Sequence, residues 1–381
     1  MEAAYLEAMR MTVLASGSKG NSTVIASAQT HILVDAGLSC RELLKRMSLA
    51  GEDPAALDAI LITHEHQDHV AGLATLARRL RIPVFLTEPT HRAWVRMVTP
   101  RTTMTYAQWL DQLAQEREQK QAAATVQPCA GATESQAGGP ELSCGDPELS
   151  SGDPEEAAER VASTNESVPQ RLNPDSKCSV YGTDKSVPLS KTSFSADPEA
   201  PEEEAAAKPD PAYLPVVEYF HSGTNFSIGD ISITPFTIPH DAADPCGFVF
   251  ESRAEAVRMA IATDLGYMPP NVKSALKRVD VLLLESNHDL EMLRDGPYPW
   301  AVKQRVLSRV GHLSNHATAE FLSTDYDGGA TWIVLGHLSE SNNVPELARI
   351  SAEEAIGGRM SLLGNRILLA QQSAPLAPIS L

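Results

Sequence analysis

Cysteine is scarce in this chain, with five in 381 residues and none in a Cys-x-x-Cys pair. An odd, scattered set argues against a disulfide framework and against a structural zinc ribbon. Long apolar runs are missing too, so no segment reaches the ~20 residues that a membrane-spanning helix needs. Residues 1–11 carry Glu2 and Glu7 and no basic start followed by an apolar stretch, which speaks against a signal peptide and makes the cytoplasm the expected compartment. Internal repeats are not evident. Positive charge is in deficit: 31 Lys and Arg face 49 Asp and Glu, a formal net charge of −18. That balance disfavours a broad electrostatic grip on a nucleic-acid backbone. Apolar residues, by contrast, make up 43% of the chain, enough for a substantial globular core.

The acidity is unevenly spread. Residues 101–215 hold 20 acidic and 9 basic residues, so −11 of the net −18 lies there. The same stretch is rich in Glu, Ala, Pro, Ser and Gly and loses hydrophobic periodicity, the composition of a disordered insertion. Within it, Tyr106, Trp109, Leu110 and Leu113 share a face of one expected helix over 105–121. The expected organisation is therefore one domain in two halves, 1–104 and 213–381, separated by an acidic low-complexity insertion over 105–212. The insertion reads as a tolerated loop or as a regulatory tail.

The most informative run is His64-Glu65-His66-Gln67-Asp68-His69. An apolar strand-like stretch precedes it, and Val70, Leu73, Leu76, Ala77 and Leu80 follow at helical spacing, which puts the cluster on a strand-to-helix turn. His64 and His66 can there meet one ion, while Asp68 and His69, at a helix N-terminus, face a second. Imidazole with carboxylate suits zinc first, with manganese or iron as alternatives. Three further strand-like runs end in a ligand-type residue: 236–240 in His240, 258–264 in Asp264 and 331–337 in His337. Four strands delivering such residues at their C-terminal ends is a pattern that isolated structural residues do not produce. Cys246 is read as a packed thiol.

With strand-like runs at 11–15, 31–35, 60–63, 84–86, 231–235, 259–263, 281–284, 332–335 and 367–370, several separated by helical ones, the chain is α/β. The mixture suits two sheets packed face to face with helices outside. The run His64 to His69 resembles the His-x-His-x-Asp-His signature of the metallo-β-lactamase fold hydrolases. The resemblance implies an αββα sandwich and two divalent metal ions: His64, His66 and His240 on the first, Asp68, His69 and His337 on the second, and Asp264 bridging them. The segments 14–22, 285–289, 311–315 and 337–343 further resemble the YycJ (WalJ) group of candidate exonucleases. By likeness to ribonuclease Z enzymes, His312 assists the chemistry beside Glu285; Asp68, as a ligand, is expected to orient the attacking hydroxide. Two departures are the long insertion and Gln67, which stands where a small residue is commoner and is expected to face away from the metals.

The expected function is hydrolysis of phosphodiester bonds by a water acidified between two ions, with DNA or RNA as the substrate and no membrane partner. A small-molecule phosphodiesterase or thioesterase is the alternative, since this fold hosts several chemistries. A non-catalytic binding protein fits poorly, because all seven candidate ligand positions are filled. Arg78, Arg79 and Arg81 could offer a basic patch or be a solvated helix end, and the 16–22 loop could admit substrate or be a plain turn. His312 has its own plain reading beside a helix starting at Ser314, with Asn315 as a possible cap.

Overall fold

Short apolar runs bounded by glycine, proline and polar residues become the strands of the described residues. A computed structural model describes residues 9–99, 210–252, 254–357 and 365–381. The expected helix over 105–121 and most of the 105–212 insertion lie outside the described residues.

Strands β1 (Arg10–Ala15), β2 (Ser22–Ala26), β3 (His31–Val34), β4 (Ala59–Leu61), β5 (Val84–Leu86) and β6 (Val217–Tyr219) form one sheet, completed at its other edge by β14 (Ile379–Ser380). The second sheet contains β7 (Phe226–Ile228), β8 (Ile231–Thr237), β9 (Cys246–Ser252), β10 (Val257–Ala262), β11 (Val281–Glu285), β12 (Trp332–Gly336) and β13 (Arg366–Leu369), side by side in the order β13-β12-β11-β10-β9-β8-β7. From β3 to β6 in the first sheet, and from β10 to β13 in the second, neighbours run parallel. β5 precedes the 105–212 segment and β6 follows it, yet the two are paired neighbours.

Alternation along the strands sends side chains to two different cores. Between the sheets, Met11, Val13, Ile25 and Ile32 meet Ile231, Phe248, Phe250, Ile261 and Leu283. On the outer face of the first sheet, Val24, Leu33 and Ile60 pack under helices Cys40–Ala50 and Leu73–Leu80 through Leu43, Met47, Leu73 and Leu76. Ala260, Leu282 and Ile333 do the same under helices Asn315–Thr324 and Pro345–Ile356. This is the expected αββα sandwich. Buried on both faces, β11 reads Val-Leu-Leu-Leu before Glu285, as parallel central strands do.

All nine expected strands are present with ends shifted by a residue or two. Those nine do not include β2, β6, β7, β9 and β14. Asn315 is not the helix cap: the Ser314 side chain accepts from the Ala317 N–H and caps the helix, while Asn315 is its first, buried residue.

Candidate metal centre

Parallel strands present their carboxyl ends on one side, where a crevice forms, and here both sheets contribute to it. His64 follows β4 by three residues, and His66 is the N-cap of the short helix Gln67–Val70, which carries Asp68 in its first turn and His69 in its last. Past β8, β10 and β12 come His240, Asp264 and His337. Glu285 is the last residue of β11. Gln67 is exposed, as expected for a position facing away from the cluster.

Four overlapping groups of ligating atoms result: His64, His66 and His240; His64, His69 and Asp264; Asp68, His69 and His337; and Asp264, Glu285, His312 and His337. All nine expected site residues are thus brought together. His240 Nε2 is 3.2 Å from His66 Nδ1. His69 Nε2 lies 3.4 Å from Asp264 Oδ2 and 3.5 Å from Asp68 Oδ2, and His337 Nε2 is also 3.5 Å from Asp68 Oδ2. Two ligands each ~2.1 Å from a shared ion at a tetrahedral angle stand ~3.4 Å apart. Among buried side-chain atoms, His64 Nε2, Asp264 Oδ2 and His337 Nε2 have no hydrogen-bond partner. Buried polar atoms left this way are costly, so all three are positioned to ligate a cation.

The electrostatics also call for positive charge. Burial opposes protonation of His69 and His337, but carboxylates outweigh it and hold both imidazoles well above their ordinary range: Asp264, Asp35 and Asp68 for His69, and Asp264, Asp68 and Glu285 for His337. Burial would raise Asp68, Asp264 and Glu285, yet the neighbouring imidazoles keep all three carboxyls low. Burial lowers His64 well below the usual imidazole value and lowers His240, with adjacent imidazoles adding to the effect. His64 and His240 therefore offer neutral nitrogens, while the surroundings of His69 and His337 are rich in anions.

Three residues of this centre hold left-handed backbone without being glycine: Asp35 at φ 61°, Asp264 at φ 63° and His337 at φ 55°. Each lies one or two residues beyond a strand, where the chain turns sharply over the crevice. Such conformations are sparsely populated and gather at functional sites. Asp35 was missed by the sequence reading. It is the carboxylate that ends the run 31–35, the same strand-end signal that pointed to Asp264. Its carboxylate accepts from His69 Nδ1 at 2.7 Å and from the Thr63 N–H and hydroxyl. That contact turns His69 Nε2 toward the cluster.

Asn21 was missed as well. Its Nδ2 lies 3.2 Å from Asp68 Oδ2 and 3.0 Å from His69 Nε2, so the 16–22 loop braces the centre. Ser16 of that loop accepts the His337 N–H at 2.7 Å. Glu285 is fully buried. Its Oε1 accepts from His312 Nδ1 at 2.8 Å and His337 Nδ1 at 2.9 Å, and its Oε2 from the Leu265 N–H. The 285–289, 311–315 and 337–343 segments are joined by a buried amide network. Asn343 Nδ2 donates to the Ser286 and Asn287 carbonyls, Asn315 donates to Asn343, and Asn287 donates to the His337 carbonyl. Cys246 is packed in the core, with its thiol pushed up to about 12 by burial. The arginine cluster is divided: Arg78 donates to the Ala74 and Asp210 carbonyls, while Arg79 and Arg81 are exposed at the helix end.

Among the described residues no helix is long and apolar enough to cross a membrane. Residues 15–101 match the model of the metallo-beta-lactamase superfamily, and residues 177–332 match that of a beta-lactamase superfamily domain. The chain is 26% identical to the exodeoxyribonuclease YycJ of Bacillus anthracis, over 91% of this chain and 89% of that protein. It is also 26% identical to the exodeoxyribonuclease WalJ of Streptococcus pneumoniae, over 90% of this chain and 86% of that one. Among solved structures, the metallo-beta-lactamase fold protein YhfI from Bacillus subtilis aligns with a TM-score of 0.51 at 12% identity, covering 97% of this chain and 99% of that one. The last likeness concerns the fold alone. The αββα sandwich, the His/Asp cluster at its strand ends and the two family matches make this chain a metal-dependent hydrolase of the metallo-β-lactamase superfamily, similar to the YycJ/WalJ exodeoxyribonucleases.

Proposed function

We propose that the chain is a dinuclear phosphodiesterase acting on nucleic acid as an exonuclease, with zinc as the first candidate metal and manganese or iron as alternatives. The observation that carries this reading is the pair of ligand groups His64/His66/His240 and Asp68/His69/His337, linked through the group His64/His69/Asp264. Divalent ions held there supply an acidified water and neutralise charge growing on the phosphate oxygens.

The chain's own residues do the rest. Asp68, steadied by Asn21, accepts a hydrogen bond from the attacking water and orients it. As the bond from phosphorus to the leaving oxygen breaks, His312 gives its Nε2 proton to that oxygen. Glu285 does not touch substrate in this scheme: it accepts from His312 Nδ1 and so leaves Nε2 facing the leaving oxygen. The names of the curated relatives favour DNA as substrate, and the 105–212 segment is read as an insertion into one domain, since β5 and β6 pair across it. A cytoplasmic setting belongs to the same reading. The acidic balance of the chain favours a second one, a small-molecule phosphodiesterase.

The test is nucleotide release from 5′-phosphorylated single-stranded DNA with added manganese or zinc, comparing wild type with Asp68→Ala and His66→Ala. Successive release that disappears in both variants is expected. No release, with bis-p-nitrophenyl phosphate still cleaved, overturns the nuclease in favour of the small-molecule enzyme.

A further inference from the structure

Helix Trp300–Val306 buries none of its residues, although it contains Trp300, Ala301, Val302 and Val306. A helix of seven residues is too short to be stable by itself, and no core packing supports this one. The segment continues as Leu307-Ser308-Arg309-Val310, so four large hydrophobics stand exposed within eleven residues: Trp300 at 69%, Val302 at 39%, Leu307 at 52% and Val310 at 42%. Between them lie Lys303, Arg305 and Arg309 and no acidic residue. In a chain of net charge −18 that is a local reversal of sign.

The segment is anchored to the metal centre. Arg305 Nε pairs with Asp241 Oδ2 at 2.5 Å, and the Asp241 carbonyl lies 3.2 Å from His66 Nε2. The His312 N–H donates to the Val306 carbonyl at 3.0 Å, and the Gly311 carbonyl lies 3.3 Å from His240 Nδ1. Arg309 lies over the Tyr267 ring at 4.2 Å from its centroid, and Tyr267 is three residues along the chain from Asp264. An exposed indole with cations around it is what a nucleic-acid single strand recognises: bases stack on the ring while the phosphates meet the positive charge. Lys303 Nζ donates to the Arg294 carbonyl at 2.6 Å, yet a purely apolar partner would bring no anion to Lys303 and Arg309, and a purely anionic one would leave Trp300, Val302 and Leu307 in water.

We infer that residues 300–310 form the platform on which the single-stranded substrate lies as it enters the centre, with Trp300 stacking on a base and Lys303 and Arg309 contacting phosphates. The inference rests on the nuclease reading and adds the surface that holds the strand.

The experiment compares Trp300→Ala, Trp300→Phe and Lys303→Gln with wild type in the full-length, metal-loaded protein. Two substrates are used, a 5′-phosphorylated thymidine oligonucleotide and bis-p-nitrophenyl phosphate, and oligonucleotide affinity is followed by fluorescence anisotropy. For Trp300→Ala the ratio of kcat/KM on the oligonucleotide to that on the small diester falls roughly tenfold, through KM. Trp300→Phe recovers most of the ratio. Lys303→Gln weakens affinity at low salt and flattens its salt dependence. An unchanged ratio in an enzyme that does degrade the oligonucleotide overturns the platform and leaves the nuclease standing. A wild type that cleaves the small diester and neither binds nor cleaves the oligonucleotide overturns both. A change of sedimentation in Trp300→Ala without a change in oligonucleotide affinity overturns the inference in favour of a contact between copies of the chain.

Discussion

Nδ1 of His69 lies 2.7 Å from Oδ2 of Asp35, and both side chains are buried. Asp35 touches no candidate metal position, yet it fixes which nitrogen of His69 faces the cluster. Removing such a partner costs about 10–100-fold in metal affinity. Asp35→Ala should therefore bind zinc more weakly by that factor in competition with a chelating dye, with Asp35→Asn weakened less. Equal affinity in all three proteins would show that the contact does not orient the ring.

His312 and Glu285 separate in their expected effects. His312→Ala should lower kcat by about 10²–10⁴, the usual contribution of a general acid, with the metal content unchanged. Glu285→Gln should lower both kcat and metal content, because Glu285 Oε1 accepts from His337 as well as His312. Elemental analysis beside steady-state kinetics checks this, and metal loss in His312→Ala would place that histidine among the ligands.

Metal loading should depend on pH unequally across the centre. Without a cation, His69 and His337 are held protonated well above the ordinary imidazole range, so an ion must displace those protons. Affinity at Asp68/His69/His337 then rises with pH through neutrality and beyond. His64 and His240 are held low and are already neutral near pH 7, so the group containing them gains little over the same range. Calorimetry in buffers of different ionisation enthalpy should find proton release in one binding step and much less in the other. Equal release in both would contradict the assignment.

Gly37 admits no side chain. A Cβ there would meet the Asp68 carbonyl oxygen at 1.7 Å and the Asn21 nitrogen at 2.6 Å. The adjoining backbone is tied by the Asn21 N–H to the Asp68 carbonyl at 2.7 Å and the Ala36 N–H to the His69 carbonyl at 2.8 Å. Gly37→Ala must push the ligand helix away, at a cost of about 1–3 kcal/mol. A lower unfolding temperature with weaker metal binding is expected, and an unchanged one would mean that the helix shifts freely.

The candidate ligand positions were legible because strand ends in this fold are marked in the sequence: an apolar run followed directly by His or Asp is a local pattern. Asp35 carried the same mark, but no distinctive motif surrounded it, and only the fold brings it to His69 across 34 residues. β6 and β14 could not be read because they are short pieces defined by their neighbours. Asn21, Asn287 and Asn343 act through long-range amide contacts, which hydrophobic periodicity does not encode. Arg305 and Trp300 went unnoticed for the opposite reason, since only exposure in the folded chain distinguishes them from core or solvated residues.

Titration of metal-stripped protein with zinc or manganese, following hydrolysis of bis-p-nitrophenyl phosphate, tests the central claim most directly. Two equivalents should bind per chain, with hydrolysis rising steeply as the second is filled and lost in His66→Ala and Asp68→Ala. Full activity at one equivalent, or activity that survives both substitutions, would contradict it.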